Sequence, residues 1–155
     1  MVKHHGKFLL HHPGIVVPDI ECAIRFYGSL LHMTVVKSGF IETPSPVFDA
    51  ITGLESARFK SALLRGENFF IELFEFLSEE KVLPTIDLPA SNLGIRHLAF
   101  QVEDMADAIQ KLLELGGSNL GEVRKVTNGG TGVYCRDPFG NIIELLVPGE
   151  AFPEI

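Results

Sequence analysis

One pattern occurs twice in this chain of 155 residues, and the repeat restricts its fold more than any other feature. His12-Pro-Gly-Ile-Val-Val-Pro-Asp19-Ile-Glu-Cys-Ala23-Ile24 aligns with His97-Leu-Ala-Phe-Gln-Val-Glu-Asp104-Met-Ala-Asp-Ala108-Ile109. The histidines, the aspartates and the Ala-Ile pairs all stand 85 positions apart (12 to 97, 19 to 104, 23 to 108). An offset shared by several residue types marks two copies of one supersecondary unit. Each copy ends in an apolar segment with a single carboxylate, Phe69-Phe-Ile-Glu72-Leu-Phe in the first and Asn141-Ile-Ile-Glu144-Leu-Leu in the second.

Within each copy the hydrophobic period changes in the same order. Residues 11–17 alternate and are β-branched, which predicts a strand, and Asp19 then opens an amphipathic helix through Ala23, Ile24, Phe26, Tyr27, Leu30 and Leu31. The second copy predicts a strand over 96–102, Asp104 as N-cap, a helix through Met105, Ala108, Ile109, Leu112 and Leu113, and a stop at Gly116-Gly117. Strand-like pieces follow at 33–40, 58–65 and 68–76, and again at 120–126, 131–136 and 141–147. The turn signal Asp137-Pro-Phe-Gly-Asn141 joins the last two as a hairpin. The expected fold is α+β, with βαβββ modules at about 8–76 and 94–148 of a single domain, 1–155. A loop over 77–93, containing Pro84 and Pro89, connects them.

Strand alternation assigns faces. With Glu72 turned toward a cavity, Phe70, Phe74 and Phe76 share its side, and Ile71 and Leu73 face the helix. His97 shares its side with Ala99 and Gln101, Glu144 with Ile142 and Leu146, and His12 with Gly14 and Val16; His11 is expected to point away from His12. A carboxylate in an apolar strand is costly unless paired, hydrogen-bonded or bound to a cation. Two of them at equivalent places, each in a copy that starts with a histidine, make His12, Glu72, His97 and Glu144 a candidate divalent-metal set. The phenylalanines beside Glu72 suggest an apolar substrate pocket, to which Phe40 and Phe48 are candidate additions. His4, His5 and His32 are expected not to ligate.

A formal net charge of −7 without a lysine or arginine cluster argues against nucleic-acid and anionic-membrane partners and for a small-molecule substrate. The N-terminus lacks a signal-peptide pattern and no apolar stretch reaches membrane-span length, so a cytoplasmic location is expected. Cys22 and Cys135 are too few for a disulfide framework or a thiolate site and are read as packing residues, on a helix and a strand respectively.

His12-x-Gly-Ile, Val-Pro-Asp19, Arg25-Phe-Tyr27, Phe-Ile-Glu72-Leu, Gly94-Ile-Arg-His97 and Asp137-Pro-x-Gly-Asn141-x-x-Glu144-Leu together resemble the vicinal oxygen chelate superfamily. This group contains glyoxalase I, epimerases, extradiol dioxygenases and the fosfomycin and bleomycin resistance proteins; the resemblance covers residues 8–148. It implies a half-closed eight-stranded barrel with helices outside, and metal ligands His12 and Glu72 from one module and His97 and Glu144 from the other. Imidazole and carboxylate donors without thiolate suit Ni²⁺, Co²⁺, Zn²⁺, Mn²⁺ or Fe²⁺. Four such ligands are closer to glyoxalase I than to the dioxygenases. They imply a lyase or isomerase that passes through an enediolate, with Glu144 or Glu72 as proton-transfer residue. Glyoxalase I enzymes commonly grip glutathione four residues after each first-module ligand; here Val16 and Phe76 stand there, which argues against glutathione. A mononuclear iron dioxygenase and a metal-free binding or resistance protein are the alternative classes. The superfamily also implies a homodimer.

Overall fold

The computed structural model describes residues 9–77, 88–127 and 129–150. It divides into two compact units, residues 1–79 and 80–155. The boundary falls inside the expected connecting loop, of which residues 78–87 lie outside the described residues, as do His4 and His5.

The first unit contains β1 (Gly14–Val16), α1 (Ile20–Leu30), β2 (Thr34–Ile41), α2 (Pro46–Thr52), β3 (Phe59–Arg65) and β4 (Phe70–Phe76). Its sheet has the order β1-β4-β3-β2, with β1 parallel to β4 and the other pairs antiparallel. The Asp19 carboxylate accepts from the Cys22 amide at 2.9 Å, satisfying a donor that the first helical turn leaves without a carbonyl. From there Ile20, Ala23, Phe26, Tyr27 and Leu30 recur at three- and four-residue spacing and are buried. They pack over β3 and β4, whose Ala62, Leu64, Ile71 and Leu73 are also buried. These two apolar surfaces form the core of the unit.

The second unit repeats the plan with β5 (His97–Gln101), α3 (Met105–Glu114), β6 (Ser118–Asn119), β7 (Arg124–Lys125), β8 (Thr131–Arg136) and β9 (Ile142–Val147). β5 runs parallel to β9, β9 antiparallel to β8, and both β6 and β7 pair with β8. The Asp104 carboxylate accepts from the amides of Ala106 and Asp107 at 2.8 and 3.0 Å. α3 ends at Glu114 with Leu115 as C-cap, Gly116 follows at φ 90°, and a Cβ on Gly117 would lie 2.5 Å from Leu112 Cδ2 and 2.8 Å from the Arg136 carbonyl oxygen. The predicted hairpin turn is present. Asp137 Oδ1 accepts from the amides of Phe139 and Asn141, and Oδ2 from the Asn141 side chain.

The mixed α+β class holds, with three helices and two sheets among the described residues. None of these helices is long and apolar enough to cross a membrane. Three local features differ from the sequence expectation. β1 starts only at Gly14, because Pro13 has no amide hydrogen to give the ladder. The strand expected over 120–126 is broken: the amides of Leu120 and Gly121 both donate to the Tyr134 carbonyl at 3.0 Å, so two residues oppose one, as in a bulge. α2 was not foreseen from hydrophobic period, since its seven residues bury none of their side chains. Its boundary signals were nonetheless in the sequence, Pro46 in the first turn and Gly53 at φ 71° after the last.

Glu75 is a buried carboxylate on the helix-facing side of β4. Its Oε2 accepts from the Ile20 amide at 3.1 Å and lies 3.3 Å from Lys60 Nζ, so it places negative charge at the start of α1. Of the caps, Asp104 gives the cleaner test, because its carboxylate is solvent-exposed. Asp104→Ala should lower unfolding free energy by about 1 kcal/mol in urea titration; an unchanged midpoint would contradict the capping role.

Candidate functional site

Parallel pairing brings each histidine to its glutamate. In the first unit Gly14 is the β1 partner of Glu72, and in the second Ala99 is the β5 partner of Glu144. Each glutamate thus faces the residue two positions after its histidine; alternation within β5 puts His97 on the face of Glu144, and His12, which precedes β1, reaches the side of Glu72 by direct contact. His12 Nε2 lies 2.9 Å from Glu72 Oε2, and His97 Nε2 lies 3.2 Å from Glu144 Oε2. The same atoms meet in both units. The equivalence holds although the glutamates are 72 positions apart rather than 85, because the first copy is longer and accommodates α2.

All four side chains are partly open, with 32% and 28% of His12 and Glu72 exposed and 35% and 14% of His97 and Glu144. Across the neighbouring strand Glu72 faces Leu63 of β3, and Glu144 faces Tyr134 of β8. Each carboxylate is therefore held in an apolar or aromatic setting and directed at an imidazole nitrogen. Such a donor pair fits a divalent cation of intermediate softness. Among the described residues, no three histidine, cysteine, aspartate or glutamate side chains gather into a cluster that could hold a metal ion.

His11 departs from expectation. Its Nδ1 lies 2.6 Å from Nδ1 of His12, and its ring stacks on Phe70 with centroids 5.5 Å apart and planes 13° from parallel. Alternation predicted the opposite side, but residues 11–13 precede β1 and need not follow its pleat. One of the two nitrogens must carry the shared hydrogen, so His11 couples to the protonation pattern of the His12 ring.

Tyr134 is the site neighbour that sequence reasoning missed. Its ring centroid is 4.9 Å from that of His97. Burial, reinforced by the Glu144 charge, holds its phenol above the ordinary tyrosine value. Counting outward from the Asp137–Asn141 turn would have set Tyr134 opposite Glu144, because that turn fixes the hairpin register.

The expected pocket residues divide by position. Phe70, Phe74 and Phe76 are half-buried on the face of Glu72. Phe74 and Phe76 stack at 6.0 Å, Phe59 of β3 meets both, and Phe48 of α2 stands edge-on to Phe59 at 5.3 Å. Phe40 does not join them. It pairs with Lys60 on the other face of the sheet and is 57% exposed. Gln101 is exposed at the end of β5, opposite Leu146. Cys22 and Cys135 are free, as expected; burial raises the thiol pKa of Cys135.

The family described as Glyoxalase/Bleomycin resistance protein/Dioxygenase superfamily matches residues 9–145. The uncharacterized protein YwkD of Bacillus subtilis is 29% identical over 107 residues, which are 69% of this chain and 71% of YwkD. A glyoxalase family protein from Bacillus cereus has the same fold, with a TM-score of 0.84 at 23% identity over 95% of this chain and 98% of that one. The fosfomycin resistance protein FosX from Listeria monocytogenes aligns with a TM-score of 0.63 at 17% identity, over 92% of this chain and 94% of FosX. A variant of FosX has been solved with Mn(II) and 1S,2S-dihydroxypropylphosphonic acid.

The raised phenol pKa has a definite sign. Tyr134 stays neutral below its unfolded value near 10, where it costs the fold nothing; stability is lost as pH rises from there through the higher folded value. Alkaline difference spectra of the protein against Tyr134→Phe should show a phenol ionising above the free-tyrosine midpoint. A midpoint at or below that of free tyrosine would contradict the packing described.

Proposed function

The chain belongs to the Glyoxalase/Bleomycin resistance protein/Dioxygenase superfamily, and we propose that it is a divalent-metal-dependent lyase or isomerase acting on a small substrate with adjacent oxygens. The observation that carries this is the pair of equivalent His–Glu contacts, His12 with Glu72 and His97 with Glu144, at 2.9 and 3.2 Å. Each pair supplies one imidazole and one carboxylate donor, of the kind suited to Ni, Co, Zn, Mn or Fe in the divalent state. FosX, whose variant was solved with Mn(II) and a vicinal diol, supports the same pairing of cation and adjacent oxygens here.

A bound cation supplies Lewis acidity that draws electron density from the substrate oxygens. His12 and His97 would each offer an imidazole nitrogen to a cation, and such a nitrogen ligates through the lone pair of its unprotonated form. Glu144 is the proton acceptor and donor at the reacting carbon, with Glu72 as the second candidate. Tyr134 opposite Glu144 keeps its proton at neutral pH and offers a hydroxyl donor on that side. Phe70, Phe74 and Phe76 exclude water beside Glu72, and Gln101 provides a polar group at the β5 end. Val16, 62% exposed, and Phe76 offer no charged or amide group for glutathione, so the substrate is not a glutathione adduct.

A homodimer accompanies this role. β2 forms the edge of its sheet along eight residues and exposes Val35 and Val36, surface that a second copy can cover. Light scattering should give twice the chain mass, and a monomer at micromolar concentration would contradict it.

Glu72→Gln and Glu144→Gln should each reduce metal retention or turnover by at least about tenfold, as substitutions at metal sites do. The assay is elemental analysis followed by turnover of hydroxycarbonyl and dicarbonyl substrates after reloading. Wild-type metal content and turnover in both variants would overturn the assignment, and oxygen uptake with a catechol would replace it with a dioxygenase.

A further inference from the structure

Granting Glu72 the cation-binding role given above, we propose that the substrate carries an apolar tail, aryl or alkyl, beside its paired oxygens, and that Phe48 on α2 selects for it. The tail would lie along β4. Phe74 and Phe76 follow Glu72 on the same face of that strand, and a strand advances about 3.3 Å per residue. The aromatic wall therefore runs roughly 13 Å from the carboxylate to Phe76. Phe59, the β3 partner of Phe76, continues it sideways, and Phe48 stands edge-on to Phe59 at its far end.

Phe59 is itself buried, 3% exposed, but the three rings that pack around it, Phe48, Phe74 and Phe76, are not part of the core under α1. The core lies on the opposite face, where Ala62, Leu64, Ile71 and Leu73 are at most 1% exposed under α1. Phe48, Phe74 and Phe76, by contrast, remain half-open. An aromatic surface that is ordered by ring contacts yet still accessible is what an apolar ligand group requires.

α2 is built to present one ring. Val47 and Ile51 point outward, 65% and 73% exposed, and none of the helix's residues is buried. Its base is tied to the chain before β3 by the Asp49 carboxylate, which accepts from the amides of Ser56 and Ala57 at 3.0 and 2.8 Å. Among its described residues, the second unit has no helix between β6 and β9. Phe48 therefore belongs to an addition that only the first copy carries, one that changes the end of the wall without altering either His–Glu pair.

Two hydroxamic acids with identical oxygen-chelating heads test this. Acetohydroxamic acid has no tail, whereas biphenyl-4-carbohydroxamic acid reaches along the wall. Both are titrated calorimetrically into full-length protein reloaded with Mn²⁺. The biphenyl compound should bind about tenfold or more tightly, and Phe48→Ala should cut that preference by about three- to tenfold while leaving acetohydroxamate affinity unchanged. Phe48→Leu should cut it less, and Val47→Ser, on the outer face of α2, should leave it intact. A thermal melt of each variant shows that it is folded. Equal binding of the two compounds, or a preference that survives Phe48→Ala, overturns the tail and leaves the cation role standing. Failure of both compounds to bind overturns the cation role and the tail with it.

Discussion

The parallel pairing of the first and last strand of each unit is the constraint on which the rest depends. Parallel neighbours cannot be joined by a tight turn; the chain must leave the sheet and return, and here a helix and two intervening antiparallel segments make that journey. The outcome is that residues distant in sequence, 12 and 72 or 97 and 144, meet at hydrogen-bonding distance. Glu72 is further anchored by its amide, which donates to the Pro13 carbonyl at 3.0 Å, next to the histidine that its carboxylate meets. A one-residue slip in either ladder would turn the glutamate toward the helix and destroy the pair.

The two faces of β4 show how this constraint divides the work. Toward α1, Ile71 and Leu73 are buried and Glu75 holds the helix N-terminus together with Lys60. On the other face, Glu72 and three phenylalanines stay half-open. Removing the ligand-side residues therefore need not disturb the core beneath the helix. β9 is less strictly divided, because Ile142 is buried on the side of Glu144. The second pair is correspondingly more enclosed, with Tyr134 across the hairpin and His97 against its ring.

Much of this was legible in the sequence because it rests on period and offset. The two-copy plan, the caps at Asp19 and Asp104, the hairpin at Asp137–Asn141 and the face shared by Phe70, Glu72, Phe74 and Phe76 all follow from local rules. Membership of the superfamily was equally readable, from motifs spread over nearly the whole chain. What was not legible depends on places where a rule stops applying. His11 escapes alternation because Pro13 delays the strand, and the expected 120–126 strand breaks at a bulge that no residue pattern announced. α2 is too short and too exposed to have a hydrophobic period. Phe40 was named without a face assigned to its strand, and its pairing with Lys60, the partner of Glu75, puts it on the side away from Glu72. Tyr134 could have been placed opposite Glu144 by counting outward from the Asp137–Asn141 turn, whereas its contact with the His97 ring depends on packing that no local rule gives.

The central proposal is that the two His–Glu pairs, His12 with Glu72 and His97 with Glu144, furnish ligands for a divalent cation. Equilibrium metal binding to the untagged protein and to His12→Ala and His97→Ala tests it most directly. The account predicts divalent-cation binding in the parent protein and a large loss of affinity in both variants. Retention of parental affinity and stoichiometry in either variant would contradict it.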